Sequence, residues 1–288
     1  MNVNMKYFIV TLSAIFISLG IGILIGFNLN TNGAFDEQQT QIIDDLENKF
    51  NLMKEENTKK ENDILNITKE NENLNKYIEN SFSYVVDNKL EGKNIGIIKT
   101  TEDYFYPNVE EVINKANGHM AFNIVIKDKL INEFEIAELN KVFNLNLKDK
   151  NEFINYICQI TYVDKNTDLL NQMNEKGIIE IKTLNLEYNN LDAVILEGGS
   201  LKNNENKLNI VDKNIIKYFK DNNINLLGTE RRDVQNSYIP FYKESKISTI
   251  DNLNEVMGKI SLIMVIEGKT GHFGVKETAD EFTPLEIK

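Results

Sequence analysis

The chain has 288 residues, 41% of them hydrophobic and 26% charged, with a net charge of −12. That suffices for one substantial core plus an extension. The acidity argues against a nucleic-acid partner, because neutralising phosphates takes clustered Lys and Arg. A single cysteine, Cys158, excludes an intramolecular disulfide and a thiolate cluster of its own.

The first element is a run without charged side chains over residues 7–27, in which only Thr11, Ser13 and Ser18 are hydroxylic. As a helix it spans roughly 30 Å, the thickness of a bilayer core. A signal peptide would carry a shorter apolar region and a small-x-small cleavage site, and the following "NLNTNGA" offers none. The run therefore reads as an uncleaved anchor in the lipid bilayer. Lys6 and the α-amino group flank one side, Asp36 and Glu37 the other. The positive-inside rule then places residues 1–6 in the cytoplasm and the bulk of the chain outside it, as a single-pass protein of the cell membrane. Gly22 and Gly26 stand four apart on one helix face and match the small-xxx-small pattern of close helix approach. No polar face marks the run as the lining of a pore.

Residues 35–86 contain no proline and repeat in sevens. One row reads Ile43, Phe50, Asn57, Ile64, Asn71, Ile78; the row three residues on reads Leu46, Met53, Lys60, Ile67, Leu74. Such a repeat keeps a narrow seam towards a partner and predicts a coiled-coil stalk about 60–70 Å long. Asn57 and Asn71 in the seam favour a parallel dimer. The flanking positions oppose a homodimer, since Lys49 would face Lys54, and Glu56 would face Glu61 of the second strand. A second membrane protein is the alternative partner, as is a single long helix packed on another protein.

From residue 90 to 288 short apolar runs alternate with amphipathic stretches. Strands are predicted at 94–100 ("NIGIIKT"), 121–127 ("AFNIVIK"), 178–182 ("IIEIK"), 191–199 ("LDAVILEGG"), 223–228 ("NINLLG") and 260–268 ("ISLIMVIEG"). Helices are predicted at 104–117, through much of 133–176, at 211–222 and at 251–258. Continuous apolar strands alternating with helices predict an α/β domain, a doubly wound and mostly parallel sheet covered on both faces.

Such sheets bind ligands at the carboxyl ends of their strands. There, "EGGS" (197–200) lacks the G-x-G-x-x-G spacing and reads as a glycine turn. "GKT" (268–270) lacks the earlier glycine of a phosphate loop. Arg231 and Arg232 in "GTERRD" follow a strand end, where a guanidinium pair can hold an anion, or can simply be a solvated loop. His119 and His272 stand in no paired-ligand spacing. No nucleophile–base pairing appears, so the chain reads as non-enzymatic with no evident cofactor.

The chain nevertheless resembles a family of copper transporters, typified by the mycobacterial copper transport protein B. The similarity runs through "IFISLGIGILIG", the polar helical stalk, "KLEGKNIGIIKT" and "KANGHM". It returns in "KISTIDNLNEVMGKISLIMVIEGKTGHFGVK" and at Thr283-Pro284. The resemblance implies a membrane-anchored extracytoplasmic protein of copper efflux or homeostasis. Some relatives look instead like coiled-coil envelope proteins that partner a second membrane protein in cell separation. Copper enters only by this resemblance. Its candidate ligands here are His119, Met120, Cys158 and His272, with no M-x-x-M or C-x-x-C among them. His119 and Met120 open a predicted strand and would point to opposite faces. Cys158 lies in "FINYICQI", where a packing role is expected.

Overall fold

The computed structural model describes residues 5–31, 34–106 and 108–284. Residues 1–4 of the predicted cytoplasmic segment lie outside that range. The chain divides into two units, Met1–Asn73 and Leu74–Lys288.

The first unit holds α1 (Met5–Thr31) and most of α2 (Ala34–Val86). α1 is long and apolar enough over Met5–Asn28 to cross a membrane. Gly22 and Gly26 leave open space where a Cβ would stand. α2 is one uninterrupted helix of 53 residues, with Asp36 and Glu37 in its first turn, where acidic side chains complement the helix dipole. Along it Ile43, Leu46, Phe50, Met53, Ile64, Ile67 and Leu74 are each 58–67% exposed, so this apolar row is left open along the helix.

The second unit begins with the end of α2, where Phe82 and Val86 are buried and Ile78 packs beside them. Ile78, part of the row counted in sevens, is therefore taken up by the globular core. In chain order there follow β1 (Asn94–Lys99), α3 (Val109–Lys115), β2 (His119–Ile126), α4 (Asp128–Asn132), α5 (Ile136–Phe143), α6 (Lys150–Tyr162) and α7 (Thr167–Glu175). Then come β3 (Ile179–Leu184), β4 (Ala193–Glu197) and α8 (Glu205–Lys207). A π-helical turn (Leu208–Asp212) joins α8 to α9 (Lys213–Asp221). The chain ends with β5 (Asn225–Thr229), α10 (Ile239–Glu244), β6 (Ser248–Ile250), α11 (Val256–Glu267) and β7 (His272–Phe273).

The strands form one sheet in the order β3-β2-β1-β4-β5-β6-β7. Only the β2–β3 pair is antiparallel. The chain winds from β1 outward to β2, then returns to β4 on the other flank of β1. That reversal puts the topological switch point between β1 and β4. Each face carries its own core. Ile98, Ile124, Leu196 and Phe219 belong to one; Ile95, Ile97, Ile195, Leu262 and Phe273 belong to the other.

Three expectations need correction. Residues 260–268 are not a strand but most of α11, and 251–255 form a turn ahead of it rather than a helix. An apolar run of this kind has no period that separates a buried strand from a buried helix. Here Gly258, Ile260–Ile266 are buried on all sides, as for a helix enclosed in a core. The helix predicted at 104–117 shortens to α3, because Pro107 bars helical geometry for Tyr106 and Asn108 takes a left-handed φ of 65°. β6 and β7, of three and two residues, were not predicted at all.

The segment that carries the family resemblance is stitched by one side chain. Asp251, buried at the end of β6, accepts the amides of Val275 at 2.8 Å and Lys276 at 2.9 Å. Gly274 has φ 142°, and a Cβ there would meet Asp251 Oδ1 at 1.9 Å. The glycine is thus required both by backbone conformation and by the close approach of the carboxylate.

Candidate functional site

Period two along β2 and β3 leaves polar side chains on one sheet face: Asn123 and Lys127 in and after β2, Glu180 and Lys182 in β3. A long helix after β1 would have covered them. α3 has seven residues and does not, so a cleft of about 630 Å³ remains over the carboxyl ends of β1, β2 and β4. Its walls are Glu110 and Asn114 of α3, the β2–β3 residues just named, and Glu102, Phe105 and Tyr106 of the loop after β1. Lys99 and Glu197 form the floor.

Lys99 closes β1 and Glu197 closes β4, and the two are register partners across the switch point. Glu197 is only 4% exposed. Among the described residues its carboxyl accepts no hydrogen bond, and the Lys99 ammonium makes neither a hydrogen bond nor an ion pair. The ammonium lies 5.5 Å from the centre of the Tyr106 ring. Burial pushes the Glu197 carboxyl up to about 8; Lys99 pulls it back and Glu110 adds to the rise. Burial likewise holds Lys99 below its ordinary value, against the attraction of Glu197. Perturbed groups of this kind in a cleft at a switch point mark it as the candidate site.

The other charges are matched. Lys127 pairs with Glu102 and, at 3.4 Å, with Glu180, which also pairs with Lys182. Glu110 Oε1 accepts from Asn123 Nδ2 at 2.7 Å and Thr183 Oγ1 at 2.9 Å. The loop over the cleft is held by the Tyr106 hydroxyl donating to Gly198 O at 2.5 Å and by Arg231 Nη1 donating to Phe105 O at 2.8 Å. Arg231 also forks onto Asp233, with both contacts at 2.8 Å, and Arg232 pairs with Glu255 at 2.9 Å. Those guanidiniums are therefore fasteners of a loop rather than a waiting anion site. On the opposite sheet face, Thr100 and Tyr242 donate to Asp212 Oδ1 at 2.8 and 2.6 Å and pin the end of β1.

The candidate copper ligands are not brought together. His119 is exposed and Met120 buried at the start of β2, on opposite faces as expected. His119 Nε2 lies 2.8 Å from Asn185 Nδ2. Cys158 is buried within α6, and burial raises its thiol. His272 in β7 sits 3.0 Å from Thr249 Oγ1. Four strands separate β2 from β7, about 24 Å at the usual spacing. These residues do not fit one copper ion. Among the described residues no group of three or more His, Cys, Asp or Glu is placed to hold a metal.

The floor pair escaped the sequence reading, which treated residues 197–200 as a glycine turn. The available signal was a charged residue ending each of two otherwise apolar strands ("IIK", "VILE"), with Asn123 and Lys127 on one face of "FNIVIK" and Glu180 and Lys182 alternating in "IEIK". That alternation marks a sheet face that is not fully covered.

Among curated proteins nothing matches the chain. The family described as "copper transport outer membrane protein, MctB" matches residues 3–284, nearly the whole length and including span, long helix and α/β unit. The chain belongs to this family of copper transport outer membrane proteins, MctB.

Proposed function

We propose that the chain is a single-pass, non-catalytic recognition protein of copper homeostasis, with residues 7–27 in the cell membrane, residues 1–6 cytoplasmic and the α/β unit outside the cytoplasm. The observation that carries this reading is the order of parts: a helix fit to span, a long helix with an apolar row, then a unit with a cleft at its switch point. Family membership supplies the link to copper transport. A lone apolar helix offers no polar groups at depth for an ion path, so the contribution to copper export is recognition, not conduction. Two measurements test it. Protease added to intact cells should remove the α/β unit, and deletion of the gene should raise cell copper content. Protection from the protease contradicts the orientation; unchanged copper contradicts the role.

The uncovered row on α2 favours a further part of this reading, that the stalk pairs in parallel with a second copy. Because Cys158 is buried, an introduced cysteine reports alone. Oxidation of Leu46→Cys or Met53→Cys should give cross-linked dimers in membranes, and Glu55→Cys on the far side of the helix should not. Equal cross-linking at all three positions, or none, contradicts pairing of this row with a second copy and leaves a different membrane protein, as in an envelope scaffold, as the alternative partner.

A further inference from the structure

We propose that the cleft binds a zwitterionic α-amino acid with an aromatic side chain, its carboxylate on Lys99 and its ammonium on Glu197. The inference rests on the cleft being a recognition site, and not on the copper role. Three features of the geometry lead to it. First, Lys99 and Glu197 stand side by side on neighbouring strands, about 4.8 Å apart along the sheet. Both line the cleft, and neither is engaged by a hydrogen bond or ion pair among the described residues. Every other charged pair in the cleft is satisfied by its neighbours.

Second, the two groups carry opposite charge when Glu197 is ionised, which a bound ammonium favours. A simple anion would satisfy Lys99 and repel Glu197 once ionised; a simple cation would do the reverse. A molecule with both charges a few ångströms apart neutralises both at once, and charge-assisted hydrogen bonds are the strong kind. Leaving the buried Glu197 or the partly buried Lys99 unmatched is costly, and that cost is what discriminates against ligands with one charge. Third, Phe105 is 73% exposed at the cleft while its carbonyl is held by Arg231. An exposed aromatic ring on a fastened backbone, next to Tyr106, is a stacking surface for an aromatic side chain.

The experiment is calorimetric titration of the full chain in detergent with four probes: L-phenylalanine, phenethylamine, 3-phenylpropionate and Cu(II). L-phenylalanine should bind with saturation below about 10 mM, and the two single-charge probes should each bind at least about tenfold more weakly. Lys99→Met should weaken L-phenylalanine about tenfold without weakening phenethylamine. Glu197→Gln should weaken L-phenylalanine similarly without weakening 3-phenylpropionate. The crossed pattern separates loss of a contact from loss of the fold. Any of three results overturns the proposal: no saturation by L-phenylalanine, equal binding of a single-charge probe, or Cu(II) binding that is lost in Glu197→Gln.

Discussion

Alanine in place of Gly258 is expected to destabilise the α/β unit by about 3 kcal/mol, lowering Tm by about 6–12 °C. A Cβ at this position would stand 2.2 Å from the backbone oxygen of Asn252 and 2.8 Å from its Oδ1. That oxygen already accepts the Glu255 amide at 2.9 Å, and Leu253 N donates to Glu230 O at 3.0 Å. The turn is therefore held on both sides and cannot retreat. Asn252 itself is fully buried, so the clash falls on backbone rather than on a movable side-chain tip. The result discriminates between structures as well as confirming one. If residues 260–268 were a strand, Gly258 would only be the last residue of the helix predicted at 251–258, away from Asn252 O, and alanine there would cost little. A thermal melt of the variant within about 2 °C of the parent would contradict the start of α11.

The second large effect concerns Glu197 and pH. Folding raises this carboxyl from an ordinary value of 4.5 to about 8, chiefly by burial. A group raised by folding binds more protons in the folded than in the unfolded state, so stability falls as pH rises between those two values. Lys99, lowered from 10.5, has the opposite slope and starts from the alkaline side. Asp212, raised to about 6, and His272, lowered from 6.5, also titrate between pH 5 and 7, so the difference between parent and Glu197→Gln isolates the carboxyl. The parent chain is expected to lose about 2 kcal/mol from this group over that interval. Glu197→Gln has a neutral isostere in the same place and should lose none of it. Urea unfolding at pH 5 and pH 7 checks the point. Parallel losses in parent and variant would show that Glu197 ionises freely in the folded state.

Much of the architecture was legible because its signals are physical and local. The uncharged run over 7–27 had the length of a span, and α1 has that extent. The proline-free repeat predicted a long helix, and α2 runs unbroken through it. Strands in "NIGIIKT", "AFNIVIK" and "LDAVILE" carried enough β-branched residues to place three neighbours of a parallel sheet. What failed was decided by tertiary context. Ile260–Ile266 has no polar face to reveal its period, because every side of α11 is enclosed. β6 and β7 are too short to show alternation.

The cleft was harder to read, for a related reason. It exists where something is missing from the face of the sheet: α3 stops short because Pro107 and Asn108 delay its start. Its floor pair comes from residues 98 positions apart in the chain, brought into register by a parallel pairing that skips β2 and β3. No spacing rule reaches across such a crossover. The histidines, by contrast, drew attention as residue types, yet the sheet order sets them strands apart. Residue chemistry nominates candidates, and topology decides which of them meet.

The family match links the chain to copper transport, and the proposal that the cleft of the α/β unit serves copper homeostasis has a direct test. The measurement is cell copper content in a deletion strain carrying either the parent gene or one encoding Lys99→Met and Glu197→Gln together. Deletion is expected to raise copper and the parent gene to restore it, whereas the double variant, present in the membrane in equal amount, should not. Full restoration by the double variant would contradict the proposal.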